Sequence, residues 1–155
     1  MSVLRFEVPG MPAPQGSKRH VGGGRMVESS KDLPAWRSSV AWAARAAHGS
    51  RAAMDGPLAM ELSFTFPMPA SRPKRDRVRG QRWRTVKPDL DKLCRAVFDA
   101  LTDAGVITDD ARIVQVTALK QERTDDAGLT VYVKQVEEEE LFTSKGKYSH
   151  ENNHC

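Results

Sequence analysis

The stretch KPDLDKLCRAVFDAL, residues 87–101, carries the strongest structural signal in the sequence. Its apolar residues recur with the spacing of one helical face, at Leu90, Leu93, Val97 and Leu101. The pattern predicts a helix from Asp89 to about Asp103, and Gly105 supplies its end because glycine favours the position after a helix. An amphipathic helix of this kind covers an apolar surface, which the flanking segments must provide.

Those flanking segments are typical of strands, because three of them alternate apolar and polar residues with a period of two and the one that begins at residue 111 is rich in β-forming residues. They lie at residues 3–8, 58–68, 111–123 and 128–136. The last two flank the turn sequence TDDAG and are predicted to pair as a hairpin. A further helix is predicted from Ala35 to about His48. The order β-α-β-α-β-β predicts an α+β fold, with a mixed sheet of about four strands and two helices packed against it.

Length and composition indicate one domain over residues 1–136, followed by a polar, flexible tail at 137–155. No run approaches the ~18 consecutive apolar residues of a membrane helix. The start has no secretory signal, and the two cysteines provide no disulfide framework. We therefore expect a cytoplasmic protein with no membrane partner.

The positive charge is concentrated in SRPKRDRVRGQRWRTVK, residues 71–87, which we call the basic stretch. It carries a net charge of +7 while the whole chain carries +4, so the remainder is acidic. Pro73, Gly80 and the lack of an apolar period predict a loop, or a segment that is disordered until a negatively charged partner binds. A solvated surface with no partner is the alternative reading.

The basic stretch leads directly into two aspartates, which favours a role in binding a phosphate backbone. In this reading Trp83 stacks on an exposed base, and Lys18 and Arg19 of the N-terminal loop add charge. The predicted DNA contacts are Lys18, Arg19, Arg72, Lys74, Arg75, Arg77, Arg79, Arg82, Trp83, Arg84 and Lys87.

Three aspartates around the predicted helix are candidate metal ligands: Asp89, Asp91 and, in the sequence TDD, Asp110. The helix is about 22 Å long, and the return from 104 to 110 spans about 23 Å if extended, so the three can meet. Meeting carboxylates repel unless a cation joins them, and Mg²⁺, with Mn²⁺ as a substitute, suits such oxygen ligands. The alternative is that these acids only cap a helix and form a turn.

Arg95 lies one helical turn after Asp91 and on the same face. It is predicted to take part in catalysis by gripping the scissile phosphate or its developing charge. An ion pair with Asp91 along the helix is the alternative.

The segment KPDLDKLCRAVFDALTDAGVITDDARIVQVTALK, residues 87–120, resembles the RusA family of Holliday junction resolvases. In that family a Pro-Asp-x-Asp motif opens a helix, a basic residue follows, and an Asp-Asp pair precedes a strand. FEVPGMPAPQGSKRH, residues 6–20, is similar to the opening strand and basic loop of the family. The resemblance extends in element order over roughly residues 4–136.

By position, Asp89, Asp91 and Asp110 match the metal-binding carboxylates of the family. Arg95 stands where a functional lysine is expected, and its planar guanidinium cannot act as a lysine-like proton donor. Lys92 stands where the family more often has Asn. Asp109 either supports the metal site or serves only as a turn residue.

The resemblance implies a Mg²⁺-dependent crossover junction endodeoxyribonuclease that resolves four-way DNA junctions by paired symmetric nicks in recombination and repair. It further implies a homodimer, a bacterial or phage-infected host cell, and no small-molecule cofactor. Trp36, Val40 and Trp42 on the first helix are candidate dimer contacts, with an ordinary core role as the alternative. Two other functions stay open: a non-catalytic module that binds branched DNA, and a nuclease for other branched or flapped DNA.

Overall fold

The structure is a computed structural model that describes residues 2–16, 18–20, 22–23, 26–28 and 31–140, with the backbone alone at 18–20 and 26–28. Its elements are β1 (Val3–Pro9), β2 (Lys18–His20), β3 (Met26–Glu28), α1 (Leu33–His48), β4 (Leu58–Pro67), α2 (Lys74–Arg79), β5 (Gln81–Trp83), α3 (Leu90–Asp103), a 3₁₀ helix (Asp110–Arg112), β6 (Ile113–Arg123) and β7 (Gly128–Gln135).

The main sheet has five strands in the order β1-β7-β4-β6-β5. Its centre, β4, runs parallel to β6 and antiparallel to β7, so the prediction of an α+β fold with a mixed sheet is confirmed. The fifth strand is β5, which pairs with the end of β6. A separate two-stranded sheet, β2-β3, occupies part of residues 9–28, where the density of proline and glycine up to residue 27 predicts an irregular loop.

One apolar core lies between the sheet and the two long helices. The alternation in β4 buries the predicted face, Leu58, Met60, Leu62, Phe64 and Phe66. These side chains join one cluster with residues of α1 and α3, which also pack on each other. Each such side chain contributes about 1.5–3 kcal/mol when fully buried. Gly105, at φ +70°, ends α3 as predicted.

The predicted hairpin of residues 111–123 with 128–136 is wrong. β6 and β7 pair with opposite edges of β4, so the chain crosses over the end of β4 between them. Because β4 is buried, the backbone groups on both of its edges need partners, and a local hairpin would satisfy only one edge. The crossing requires glycine at 128, where a Cβ would lie 2.4 Å from the carbonyl oxygen of Val8.

The prediction that the basic stretch is a loop or disordered is also wrong. It contains α2 and β5, separated by Gly80 in the left-handed conformation. The Gly80 N–H donates to the carbonyl of Asp76 at 2.9 Å, and β5 pairs antiparallel with residues 121–123 of β6. The sequence shows no apolar periodicity here because ion pairs, and not a buried apolar face, stabilise α2 and β5.

The first helix begins two residues earlier than predicted, with Pro34 in its first turn, where proline costs no hydrogen bond. Trp36 and Val40 belong to the core, whereas Trp42 is 72% exposed. The first two are therefore unavailable as dimer contacts. None of the described helices is long and apolar enough to span a membrane. Residues 137–140 of the predicted tail are exposed, and 141–155 lie outside the described residues.

Candidate functional site

Two of the three candidate metal ligands stand together at the start of α3. Asp89 occupies the N-cap position in extended conformation, yet its side chain makes no capping hydrogen bond. Its carboxylate lies 3.6 Å from Lys92 Nζ, an exposed pair of the kind that contributes about 0–1 kcal/mol. Asp91 is exposed and forms no hydrogen bond or ion pair with the described residues. Both carboxylates are therefore free to bind a further cation.

The third candidate, Asp110, opens the 3₁₀ helix beside Asp109. Asp109 accepts a hydrogen bond from the N–H of Ala111 at 2.7 Å, and this bond lowers its pKa. A hydrogen bond to Asp109 raises the pKa of Asp110 above its ordinary range, and burial and the charges of Asp109 and Asp99 add to the rise. These acidic neighbours disfavour the charged form of Asp110, and a nearby cation would favour it.

The acidic residue of α3 whose charge acts on Asp110 is Asp99, whereas the predicted neighbours were Asp89 and Asp91. Asp99 lies two helical turns after Asp91, or about 12 Å further along the axis of α3. Among the described residues, no group of three or more His, Cys, Asp or Glu could hold a metal ion. The meeting of Asp110 with Asp89 and Asp91 is therefore not preformed, and the metal-ligand set stays a prediction.

Asp55 fixes the segment around Asp110 and was missed from the sequence. Its carboxylate accepts a hydrogen bond from Thr108 Oγ1 at 2.9 Å and pairs with Arg112 Nε at 2.9 Å. The hydrogen bond from Thr108 lowers the pKa of Asp55. These contacts hold both sides of the Asp109–Asp110 pair. A lone aspartate in the connection before β4 offers no sequence signal for this role.

Arg95 lies on the exposed face of α3, between Asp91 and Asp99. It forms no hydrogen bond or ion pair within the described part of the chain, so its guanidinium can reach an incoming phosphate. Its contact with the scissile phosphate stays a prediction.

A buried carboxylate organises the basic stretch. Glu122 of β6 has no exposed surface. Arg72 donates two hydrogen bonds to it, at 2.8 and 2.6 Å, and Arg84 donates one at 3.1 Å. Arg82 Nε lies 3.9 Å from the same carboxylate. These cations lower the pKa of Glu122, with the hydrogen bond from Arg72 as the largest cause.

A second ion pair completes this network. Arg82 Nη1 lies 2.9 Å from the carboxylate of Asp76, which is 6% exposed. Three predicted DNA contacts, Arg72, Arg82 and Arg84, are therefore engaged by internal carboxylates. Glu122 was missed from the sequence because nothing marks one acid in an alternating strand as buried.

The chain matches the family described as Endodeoxyribonuclease RusA over residues 7–134. The chain belongs to the RusA family. No match was found among curated proteins. RusA-family proteins are endodeoxyribonucleases that act on Holliday junctions, so the protein is a nuclease that hydrolyses DNA.

The remaining predicted DNA contacts of the basic stretch, apart from Trp83, are exposed cations, and their contact with DNA stays a prediction. They are Lys74, Arg75, Arg77, Arg79 and Lys87. Trp83 is 66% exposed and lines a groove of about 440 Å³ together with Arg75 and Arg79. Gln81 and Gln121 add polar groups to the same groove. Its chemistry suits a base flanked by phosphates.

The N-terminal loop of this RusA-family chain passes beside the start of α3. The N–H of Gln15 donates to the carbonyl of Lys92 at 3.0 Å. Lys18 and Arg19 follow in β2, but their side chains lie outside the described residues. Their predicted contact with DNA stays a prediction.

Proposed function

We propose that this RusA-family protein is a Mg²⁺-dependent, structure-selective endonuclease that resolves four-way DNA junctions by paired symmetric nicks. We place this activity in DNA recombination and repair, in the cytoplasm of a bacterium or of a phage-infected host. The proposal depends above all on one observation. Asp89 and Asp91 lie exposed at the start of α3, directly after an exposed cationic surface, and neither carboxylate accepts a capping hydrogen bond or has a partner among the described residues other than the exposed pair of Asp89 with Lys92.

The residues fit a hard divalent cation. Mg²⁺ is usually held by one or two carboxylates together with waters and a substrate phosphate, so Asp89 and Asp91 suffice to begin such a site. Asp110, which lies beside Asp109 in the segment held by Asp55, would complete the set. Bound there, Mg²⁺, or Mn²⁺ in its place, would supply an activated water and stabilise the leaving 3′ oxygen.

The protein's own groups would bind and orient the DNA. The exposed cations of α2 and Lys87 lead the phosphate backbone towards Asp89, and Arg95 meets the scissile phosphate one turn into α3. Because a guanidinium stays protonated, Arg95 would stabilise charge but not donate a proton. No side chain of this surface forms a base-reading pattern, which suits recognition of branched shape.

Paired nicks on a near-symmetric junction require two sites, and we propose that two copies associate through β6. No described strand pairs with residues 113–119 on the edge of β6 that faces away from β4. This edge carries no charge, and Val114 and Val116 are 62% and 40% exposed. Unprotected edges readily pair with another chain, and antiparallel pairing of two β6 strands gives the two-fold symmetry of a homodimer.

The test uses synthetic four-way, three-way, flap and linear duplex DNA, each with Mg²⁺, with Mn²⁺ and with EDTA. We expect symmetric nicks in the four-way junction with either metal ion and none with EDTA. Junction binding without cleavage under every condition would favour the non-catalytic module. Faster cleavage of flaps or three-way junctions would assign the nuclease to another branched substrate.

A further inference from the structure

Lys120 contacts the backbone directly before the acidic pair. From β6, its Nζ donates to the carbonyl of Val86 at 2.9 Å and to the carbonyl of Pro88 at 2.6 Å. These carbonyls lie on either side of Lys87, and the second belongs to the residue that precedes Asp89. One ammonium group therefore holds both ends of the tripeptide that leads into α3.

Arg84 holds the carbonyl between them. Its Nη2 and Nε donate to the carbonyl of Lys87 at 2.6 and 3.1 Å. The same guanidinium donates to buried Glu122 at 3.1 Å and lies 4.4 Å from the centre of the Phe66 ring. Its backbone N–H donates to the carbonyl of Lys120 at 3.2 Å. Contacts with Glu122 and Phe66 in the core thus fix the guanidinium of Arg84 that binds the carbonyl of Lys87.

We propose that Lys120 and Arg84 are positioning residues that set the place of Asp89 and Asp91, an inference that rests on the proposed nuclease function. Three consecutive carbonyls, at 86, 87 and 88, are bound by two cations anchored on β6 and on the buried Glu122. The basic stretch therefore has two parts with different roles. Its outward cations face DNA, and its inward arginines connect the acidic pair to the core.

Asp89 needs such support because little else fixes it. Its side chain makes no capping bond, and its ion pair with Lys92 is exposed. Its carboxylate is therefore placed by its backbone, which the N–H of Leu93 in the first turn of α3 holds on one side and the contacts of Lys120 and Arg84 with residues 86–88 hold on the other. A displacement of about 1 Å at a reacting centre can cost about 100-fold in rate, so loss of these contacts should slow cleavage without removing a group that touches DNA.

The test replaces Lys120 with Met, which keeps the apolar stem and removes the ammonium group. Lys134→Met on β7 is the matched control, because Lys134 is partly buried in the same sheet and pairs with Glu140 at 3.6 Å. Hydrogen exchange by mass spectrometry, without metal or DNA, reports on residues 85–93. Single-turnover cleavage of saturating four-way junction, the junction dissociation constant and the melting temperature are measured in parallel.

We expect Lys120→Met to speed exchange at residues 85–93 and to lower the maximal cleavage rate about 10- to 100-fold. Exchange elsewhere and the junction dissociation constant should stay unchanged, and Lys134→Met should alter neither the exchange at 85–93 nor the cleavage rate. Lys120→Arg keeps several donors and should restore both protection and most of the rate.

Two results would overturn the proposal. A loss of rate without faster exchange at residues 85–93 would show that Lys120 acts on DNA itself, and an unchanged rate together with unchanged exchange would remove it from the site. If the wild-type protein cleaves none of the branched substrates, the nuclease proposal fails. The exchange comparison still decides whether Lys120 holds the tripeptide.

Discussion

The guanidinium of Arg72 donates two hydrogen bonds, at 2.8 and 2.6 Å, to the fully buried carboxylate of Glu122. Removing one partner of a buried ion pair leaves an uncompensated charge and typically costs about 3–5 kcal/mol. We expect Glu122→Gln to lower the free energy of unfolding by about this amount at pH 7, as measured by urea denaturation. Glu61→Gln, an exposed position on neighbouring β4, should have little effect.

The same pair makes a prediction about pH. The pKa of Glu122 is lowered from its ordinary value of 4.5, chiefly by the hydrogen bond from Arg72. Its contribution is therefore complete above pH 4.5 and is lost as pH falls through the lower, folded-state value. The difference in unfolding free energy between wild type and Glu122→Gln should shrink below pH 4.5. A difference that stays constant down to acid unfolding would contradict this assignment.

The sequence predicted well those elements whose residues bury an apolar face. Apolar periodicity identifies the buried faces of β4 and α3, because a side chain is buried there only if it recurs with the period of its element. Examples are Met60 and Phe64 on β4 and Leu93 and Val97 on α3. The structure of the basic stretch could not be predicted in this way. Its stability depends on the pairing of Glu122 with arginines distant in sequence, and charge pairs have no period.

In the candidate site, too, the features set by local helix geometry could be predicted, and those set by contacts distant in sequence could not. The pairing of Asp89 with Asp91 follows from local helix geometry, and the structure places both at the start of α3 as expected. Asp110 follows a connection of several residues after α3. The extended length of this connection sets only an upper limit on the distance of Asp110 from the end of the helix, and does not fix its distance from Asp89 and Asp91. The contacts of Asp55 with Thr108 and Arg112 hold the segment that carries Asp110, and no local pattern in the sequence indicates them.

Salt dependence tests the outward cations of the basic stretch. If about four of them contact phosphates, the logarithm of the binding constant should fall with the logarithm of salt concentration at a slope of roughly −3.6. Replacing both Arg75 and Arg79 with Gln should make the slope shallower by roughly 1.8, as measured by fluorescence anisotropy on a four-way junction. Arg5→Gln, on β1 at the opposite edge of the sheet, should leave it unchanged. An affinity that hardly varies between about 50 and 200 mM salt would refute the role.

Trp83 makes a separate prediction for unpaired bases. Stacking of one base on an aromatic side chain contributes about 1–3 kcal/mol, so Trp83→Ala should weaken binding to a four-way junction or to single-stranded DNA correspondingly. Binding to linear duplex, whose bases are already stacked, should change little. Trp42→Ala is the control because Trp42 is similarly exposed, at 72% against 66% for Trp83, but lies on α1. An equal loss on duplex and junction would indicate phosphate contact without stacking.

Asp89 provides the sharpest test of the cleavage site. Asp89→Asn keeps the size of the side chain but removes the charge that a divalent cation requires. We expect cleavage of the four-way junction to be abolished while binding in EDTA remains close to that of wild type. Asp32→Asn is well matched, because Asp32 is the N-cap of α1 and likewise makes no capping hydrogen bond. Normal nicking by Asp89→Asn would remove this residue from the mechanism.

The unpaired edge of β6 gives the last prediction. Val116 is 40% exposed on a strand segment without charged residues, and a lysine at an edge opposes pairing with another chain. Val116→Lys should convert a dimer of the wild-type protein to monomer in sedimentation at micromolar concentration. It should also reduce paired nicking to single nicks, since each subunit would meet the junction alone.

Trp42→Lys separates this interface from the other exposed apolar surface. It adds the same charge at a 72% exposed position on α1, and we expect the protein to remain a dimer. Dissociation by Trp42→Lys but not by Val116→Lys would move the interface to α1. A wild-type protein that sediments as a monomer in the presence and absence of junction DNA would contradict association through either surface, and paired nicks would then require two independent binding events.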